Sequence, residues 1–303
     1  MKKVGSFFLS FVPYLVIQAG GFLLSITVMG ALYIFFLIFP GEGGRDVMSA
    51  YSGMMEVMSS QNGLMAVSIV STLLVMPLLA LWYRKAKNDD TGAFYIGDFN
   101  VLSFFALVIG TIALYVCVDV LAEFIAYMRP DWGQQMEDLQ RMEGIVGNEF
   151  SVLTIVYTCI VGPVMEELVV RGLMLHYLKK ALPAWLAILV QASFFAVIHV
   201  SFLMMCYTFI VGLIFGVIAH KTGSIVWTSL AHIILNTCGM TVSIVGVLGA
   251  IPSDISTFVI IIAVTIAVVI TILCLYLFFR GVAIRHLEIE YLTEENEVLD
   301  LNE

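Results

Sequence analysis

The stretch VMEELVVRG, residues 164–172, sets two adjacent carboxylates, Glu166 and Glu167, and a guanidinium, Arg171, inside a run that is apolar on both sides. A charge at the centre of a bilayer costs about 2.5–3.5 kcal/mol even on lenient insertion scales, so ionisable groups in such runs pair with one another or face a cavity, and they mark a functional path. Three more polar groups sit in neighbouring apolar runs. His199 closes FAVIH, and His232 and Asn236 bound HIILN, an i,i+4 pair on one helix face. Glu167 and Arg171 have the same spacing with the acid first, the favourable order on a helix. They are expected to form a structural ion pair, which leaves Glu166 one residue round the helix and facing elsewhere.

Taken singly, each histidine reads as a satisfied core residue. Taken together, two carboxylates, two imidazoles and an amide suit hydrolysis. A glutamate shielded from bulk water can act as a general base toward a bound water, with a neutral histidine helping to hold that water. A second histidine and an amide one turn away can donate hydrogen bonds to an oxyanion. The competing assembly is a metal site, with Glu166, His199 and His232 as zinc ligands and water in the fourth position. No HExxH is present, Asn236 suits a hydrogen-bond donor better than a zinc ligand, and Glu167 is already assigned to Arg171 and so is not free to orient a metal-bound histidine. No cofactor is favoured on these grounds, and zinc stays as the alternative.

Such residues need helices to carry them to one level of a membrane. The chain is 61% hydrophobic and 12% charged, with a mean hydropathy of +1.01, which excludes an ordinary soluble domain. A helix needs about 20 apolar residues to span the hydrocarbon. Eight runs qualify as candidates: 12–39, 64–83, 101–128, 150–178, 184–200, 202–219, 224–248 and 255–280. The expected fold class is therefore all-α, a polytopic bundle of about eight transmembrane helices. The fifth and sixth runs are short and joined closely, as a re-entrant hairpin would be. The first is too long for a signal-peptide core and is expected to be retained. At about 1.5 Å per residue, Glu166 lies roughly 18 Å into the layer, His199 roughly 24 Å, His232 roughly 12 Å and Asn236 roughly 18 Å.

With eight passes, Lys2, Lys3, Arg84, Lys85, Lys87, Lys179, Lys180, Lys221, Arg280 and Arg285 share one side, and Arg45, Arg129 and Arg141 the other. That asymmetry places both termini in the cytoplasm, in a chain expected in the plasma membrane. The formal charge of −9 is concentrated in the tail RHLEIEYLTEENEVLDLNE and the loop PDWGQQMEDLQRMEGIVGNE, which read as solvated faces. No basic stripe with interleaved aromatics is present, so no nucleic-acid partner is expected. Cys117, Cys159, Cys206, Cys238 and Cys274 all lie in apolar runs without a CxxC pair and read as small buried hydrophobes. Asp119 and Glu123 fall near the outer end of the third run, where interfacial solvation accounts for them. Pro163, after Gly162, is expected to kink the fourth helix just before Glu166.

At these residues the chain resembles the CPBP family, the CAAX proteases and bacteriocin-processing enzymes. That family carries EExxxR, FxxxH and HxxxN (or D), which read here as EELVVR at 166–171, FAVIH at 195–199 and HIILN at 232–236. GPVMEELVVRG and GLIFGVIAHKTGSIVWTSLAHIILN resemble the family's flanking sequence as well. Val170 stands where members often have Phe, an apolar exchange. The resemblance covers roughly 150–240 and implies a catalytic core there. N-terminal membrane helices at 1–149 precede that core. The end of the seventh helix and the last helix, 241–285, follow it, and then an acidic cytoplasmic tail, 286–303. It implies an intramembrane endopeptidase with Glu166 as the base, His199 as its partner, His232 and Asn236 on the oxyanion, and Glu167 and Arg171 shaping the site. The family is described both as metal-dependent and as metal-free. Its substrates, membrane-associated peptides or proteins, range from prenylated CAAX proteins to bacteriocin-type peptides. The runner-up is a non-catalytic membrane immunity or scaffold protein that keeps the fold.

Overall fold

The computed structural model describes residues 2–39, 46–87, 100–142, 151–247 and 257–300, with the side chains of 61, 140–142, 244–247, 257–258 and 284–300 left out. The expectations for Arg45, Arg141, Arg285 and the acidic side chains of the tail, and for residues 143–150 of the acidic loop, lie outside that description. The described residues are helical with short connections: α1 (Lys2–Leu9), α2 (Val12–Ile38), α3 (Val47–Ser59), α4 (Gln61–Lys87), α5 (Val101–Met128), α6 (Pro130–Met142), α7 (Val152–Ala181), α8 (Ala184–Val197), α9 (Phe202–Thr222), α10 (Ile225–Val247) and α11 (Thr257–Asp300).

Seven of the described helical stretches are long and apolar enough to cross a membrane. The protein is a polytopic, all-α membrane bundle. The expected fifth span, α8, has 14 residues, a length of roughly 21 Å, and falls short of the hydrocarbon thickness. The expected sixth is not short. α9 runs for 21 residues because the helix continues through His220 and Lys221 to Gly223, which ends it with φ 65 and donates its N–H to Ala219 O at 3.0 Å. A left-handed residue at this position releases the chain without the Cβ penalty.

Burial ranks the helices. None of the apolar window of α1–α2 is buried and 17% of that of α11 is, against 44% for α7. Peripheral helices thus turn Phe22, Leu23, Ile261, Val269 and Ile272 toward lipid, while α7 is central. One apolar cluster forms around α7 from Leu79, Leu168, Leu173, Leu178 and Phe195. A second joins α5, α9, α10 and α11 through Leu107, Phe215, Trp227 and Phe278. Between membrane helices, close backbone approach through small residues replaces the hydrophobic driving force available in water. Gly110 sits against Cys274, and the Ser103 hydroxyl donates to Phe278 O at 3.0 Å across the α5–α11 seam. The five cysteines are free; Cys159 and Cys274 are buried, while Cys117, Cys206 and Cys238 are only half-buried.

The α8–α9 hairpin is held by the buried amide of Gln191, whose Nε2 donates to Ile188 O at 3.0 Å and to Gly212 O at 2.8 Å. Gly212 packs on Ala192, and a Cβ at Gly216 would run into the Gln191 amide and Ile188. Gly216→Leu should therefore push the two helices apart and destabilise the protein by about 1–3 kcal/mol. Thermal unfolding in detergent measures this, with Gly30→Leu, a position with open space around it, as the silent control.

Candidate active site

The local backbone of α7 sets the site. Pro163 has no N–H and would leave a helix carbonyl without a donor. The chain answers by widening its helix on both sides of the proline. Tyr157–Val161 and Leu168–Met174 adopt π-helical geometry on either side of an α-helical Gly162–Glu167. Such bulges are rare and frequent at functional sites. Gly162 N–H donates five residues back, to Tyr157 O, instead of four back to Thr158. The next donor that could reach Thr158 O is the missing N–H of Pro163. The Thr158 carbonyl is thus freed from the helix, and Asn236 Nδ2 on α10 donates to it at 2.9 Å.

One oxygen joins α7 to α10. Glu167 Oε1 accepts from Arg171 Nη1 at 2.8 Å and from His232 Nδ1 at 2.9 Å. The Glu167 and Arg171 side chains are fully buried. Arg171 is further held by aromatic faces, with its guanidinium carbon 4.0 Å from the Phe195 ring centre and 5.6 Å from that of Phe215. Phe195 belongs to the cluster around α7 and Phe215 to the other, so the cation sits where the two meet. Glu167 Oε2 and Arg171 Nε and Nη2 have no partner among the described residues.

Glu166 faces the other way. Its side chain is 39% exposed, against 0% for Glu167, and its Oε2 lies 3.8 Å from His232 Nε2. His199 lies in the same neighbourhood as Glu166, His232 and Arg171. Its Nδ1 is 2.7 Å from Phe195 O, one turn back on α8. These contacts fix both tautomers. A carbonyl and a carboxylate oxygen can only accept, so Nδ1 carries the proton on each histidine, and in the neutral ring each Nε2 presents a lone pair. Both Phe195–His199 and Phe195–His232 are edge-on ring contacts, with centroids 4.7 and 5.8 Å apart.

Two sequence-based expectations change on this geometry. Glu167 is not spent on Arg171 alone, because it also orients His232, so the argument that no acid was free to orient a histidine fails. Asn236 has one amide hydrogen committed to Thr158 O, leaving one for any other acceptor. The donor types at Glu166, His199 and His232 suit zinc. However, no group of three or more His, Cys, Asp or Glu side chains among the described residues is placed to hold a metal ion. Elsewhere, Asp119 accepts from the Tyr115 hydroxyl at 3.0 Å, and Glu123 is exposed.

Sequence reading missed Phe195 and Phe215 as the walls of Arg171, and Thr158 as the anchor of Asn236. The first two had a signal in their motifs, since Phe195 is the aromatic of FAVIH and Phe215 lies in GLIFG. The third had one in Gly162–Pro163.

Residues 148–238 match the family model described as type II CAAX prenyl endopeptidase Rce1-like. It is the family grouping to which the three sequence motifs pointed, and it indicates a protease. No curated protein and no solved structure matches the chain.

Glu167→Ala should leave Arg171 buried without a counter-charge and destabilise the protein by about 3–5 kcal/mol, whereas Glu166→Ala should leave stability unchanged. Thermal unfolding in detergent compares them; equal losses would contradict the geometry. Asn236→Ala should strip the Thr158 carbonyl of its donor and lower stability by about 1–3 kcal/mol. A residue serving only a reacting substrate would show no such loss in the same measurement.

Proposed function

We propose, for a chain whose residues 148–238 match the model of the Rce1-like type II CAAX prenyl endopeptidase family, that Glu166 activates the water that hydrolyses a substrate peptide bond. The observation that carries this reading is the 3.8 Å gap between Glu166 Oε2 and His232 Nε2. Two acceptors do not bond to each other. A water between them donates one hydrogen to each and satisfies both. The exposed flank of Glu166 opens this water to the site.

Glu166 takes one proton from this water as its oxygen adds to the scissile carbonyl carbon. The carbonyl π electrons move onto oxygen and form an oxyanion. Asn236's second amide hydrogen is the ready donor to that oxyanion. The protonated Glu166 then delivers its proton to the departing amine as the C–N bond breaks. The sum is peptide plus water giving acid plus amine. Glu167, Arg171, Phe195 and Phe215 touch none of the reacting atoms; they hold His232 in register.

The family description points to a substrate with a prenylated C-terminal CAAX sequence, and the catalytic core is residues 150–240. With α8 and its connection counted as a pass, the lysine and arginine distribution puts both termini in the cytoplasm, and substrate would be met from that side. A reporter active only in the cytoplasm, fused after Glu303, should be active; an active extracytoplasmic reporter there would contradict the orientation.

The test of the reaction uses purified protein in liposomes and a quenched-fluorescent farnesylated peptide ending in a CAAX sequence. Wild type should release the C-terminal fragment, identified by mass. Glu166→Gln should lower kcat roughly 10²–10⁴-fold, the span typical of losing a general base. Cleavage at wild-type rates by Glu166→Gln would overturn the proposal.

A further inference from the structure

α8 ends in a way that its sequence does not explain. The last N–H groups tighten: His199 donates to Ala196 O at 3.1 Å and Val200 to Val197 O at 3.3 Å. Ser201 N–H then donates back to His199 O at 2.6 Å, closing a three-residue turn around Val200 with φ 62. Val200 is the one non-glycine residue at positive φ among the described residues. A γ-turn of this hand is rare and strained. A β-branched residue in it is a genuine outlier, because Cβ crowds the following carbonyl. The side chain is 64% exposed, so burial does not account for a valine there.

Strained backbone persists only where its surroundings over-determine it, and such residues cluster at functional sites. Both flanks of this turn are fastened. On the α8 side, the His199 ring is tied to Phe195 O and Gln191 clamps the hairpin. On the α9 side, Ser201 is fully buried, and Phe202 stacks on Trp132 of α6, with rings 5.4 Å apart at 25°. Trp132 in turn lies under the Arg129 guanidinium at 4.4 Å, which is locked to Asp131 by bonds of 3.0 and 2.7 Å.

We propose that Val200 is a positioning residue for His199. The strained turn, braced from α6 through the Trp132–Phe202 stack, ends the short turn that carries His199 beyond α8 and holds the imidazole on Phe195 O. A glycine would fit the turn with less strain, but it would also allow the turn to open into many other conformations. Valine, once seated, has few alternatives. This inference rests on the proposed role of His199 in hydrolysis, while the geometric part can be read without any activity.

The experiment compares wild type, Val200→Gly, Val200→Ile and Trp132→Ala in detergent. Histidine side-chain ¹⁵N spectra are recorded, with His199 assigned by the signal missing in His199→Gln, beside thermal unfolding and the farnesylated-peptide assay. Val200→Gly should unfold at the same or a higher temperature, show His199 as a mixture of tautomers in place of a single Nδ1–H form, and lose roughly tenfold or more in kcat with KM unchanged. Val200→Ile should behave as wild type. Trp132→Ala should mix the tautomers as glycine does. A Val200→Gly protein less stable than wild type would overturn the strain. A single wild-type-like tautomer in Val200→Gly would overturn the positioning, whatever happens to kcat. If wild type cleaves nothing while the tautomer changes appear as expected, the positioning stands and the proposed catalysis falls.

Discussion

A single carboxylate oxygen organises this site. Glu167 Oε1 takes a hydrogen bond from Arg171 and another from His232, and neither donor has a better partner nearby. In a low-dielectric interior an isolated guanidinium is untenable, so the acid must be present, ionised and aimed. That requirement fixes the rotation of α7, which carries the acid and the cation one turn apart. It also draws α10 in until His232 reaches the same oxygen. Everything that distinguishes Glu166 from Glu167 follows. Two adjacent residues on a helix point about 100° apart, so fastening one to the interior turns the other to the opening.

The backbone adds a second constraint. Pro163 costs α7 a hydrogen bond, and the π-helical register shifts that deficit to the carbonyl of Thr158, where a side chain from another helix can use it. Asn236 does so, four residues after His232. α10 is thereby pinned to α7 at two points one turn apart, one a buried bond to a carboxylate, one to a backbone carbonyl at the bulge. A helix pinned at two points on one face has little freedom to rotate, and the Nε2 of His232 inherits that rigidity. The aromatic pair Phe195 and Phe215 closes the arrangement from α8 and α9.

How much of this could be read from the sequence depends on the range of the interaction. The contact of Glu167 with Arg171 was legible because it is local, an i,i+4 pair in an apolar run. The membrane bundle was legible because hydrocarbon thickness sets helix length. The double use of Glu167 was not legible, since it depends on how two helices 65 residues apart are rotated. The same holds for Asn236, whose partner is a backbone carbonyl that becomes available only through the shift in register around Pro163. The true length of α9 was underestimated because apolarity fades at His220, whereas the helix ends where Gly223 permits. Nothing in the sequence marks Val200, because strain belongs to the assembled fold.

The dual service of Glu167 can be separated by one comparison of stability with turnover. Replacing both members of a buried ion pair by apolar residues is often neutral or stabilising, because no unpaired charge remains. In the double variant Glu167→Leu, Arg171→Met, unfolding temperature in detergent is measured beside cleavage of the farnesylated CAAX peptide. The expected result is recovery of most of the stability that Glu167→Ala loses, without recovery of turnover, since His232 still lacks the acceptor for its Nδ1 proton. Recovery of both would contradict the central claim, by showing that Glu167 serves Arg171 alone.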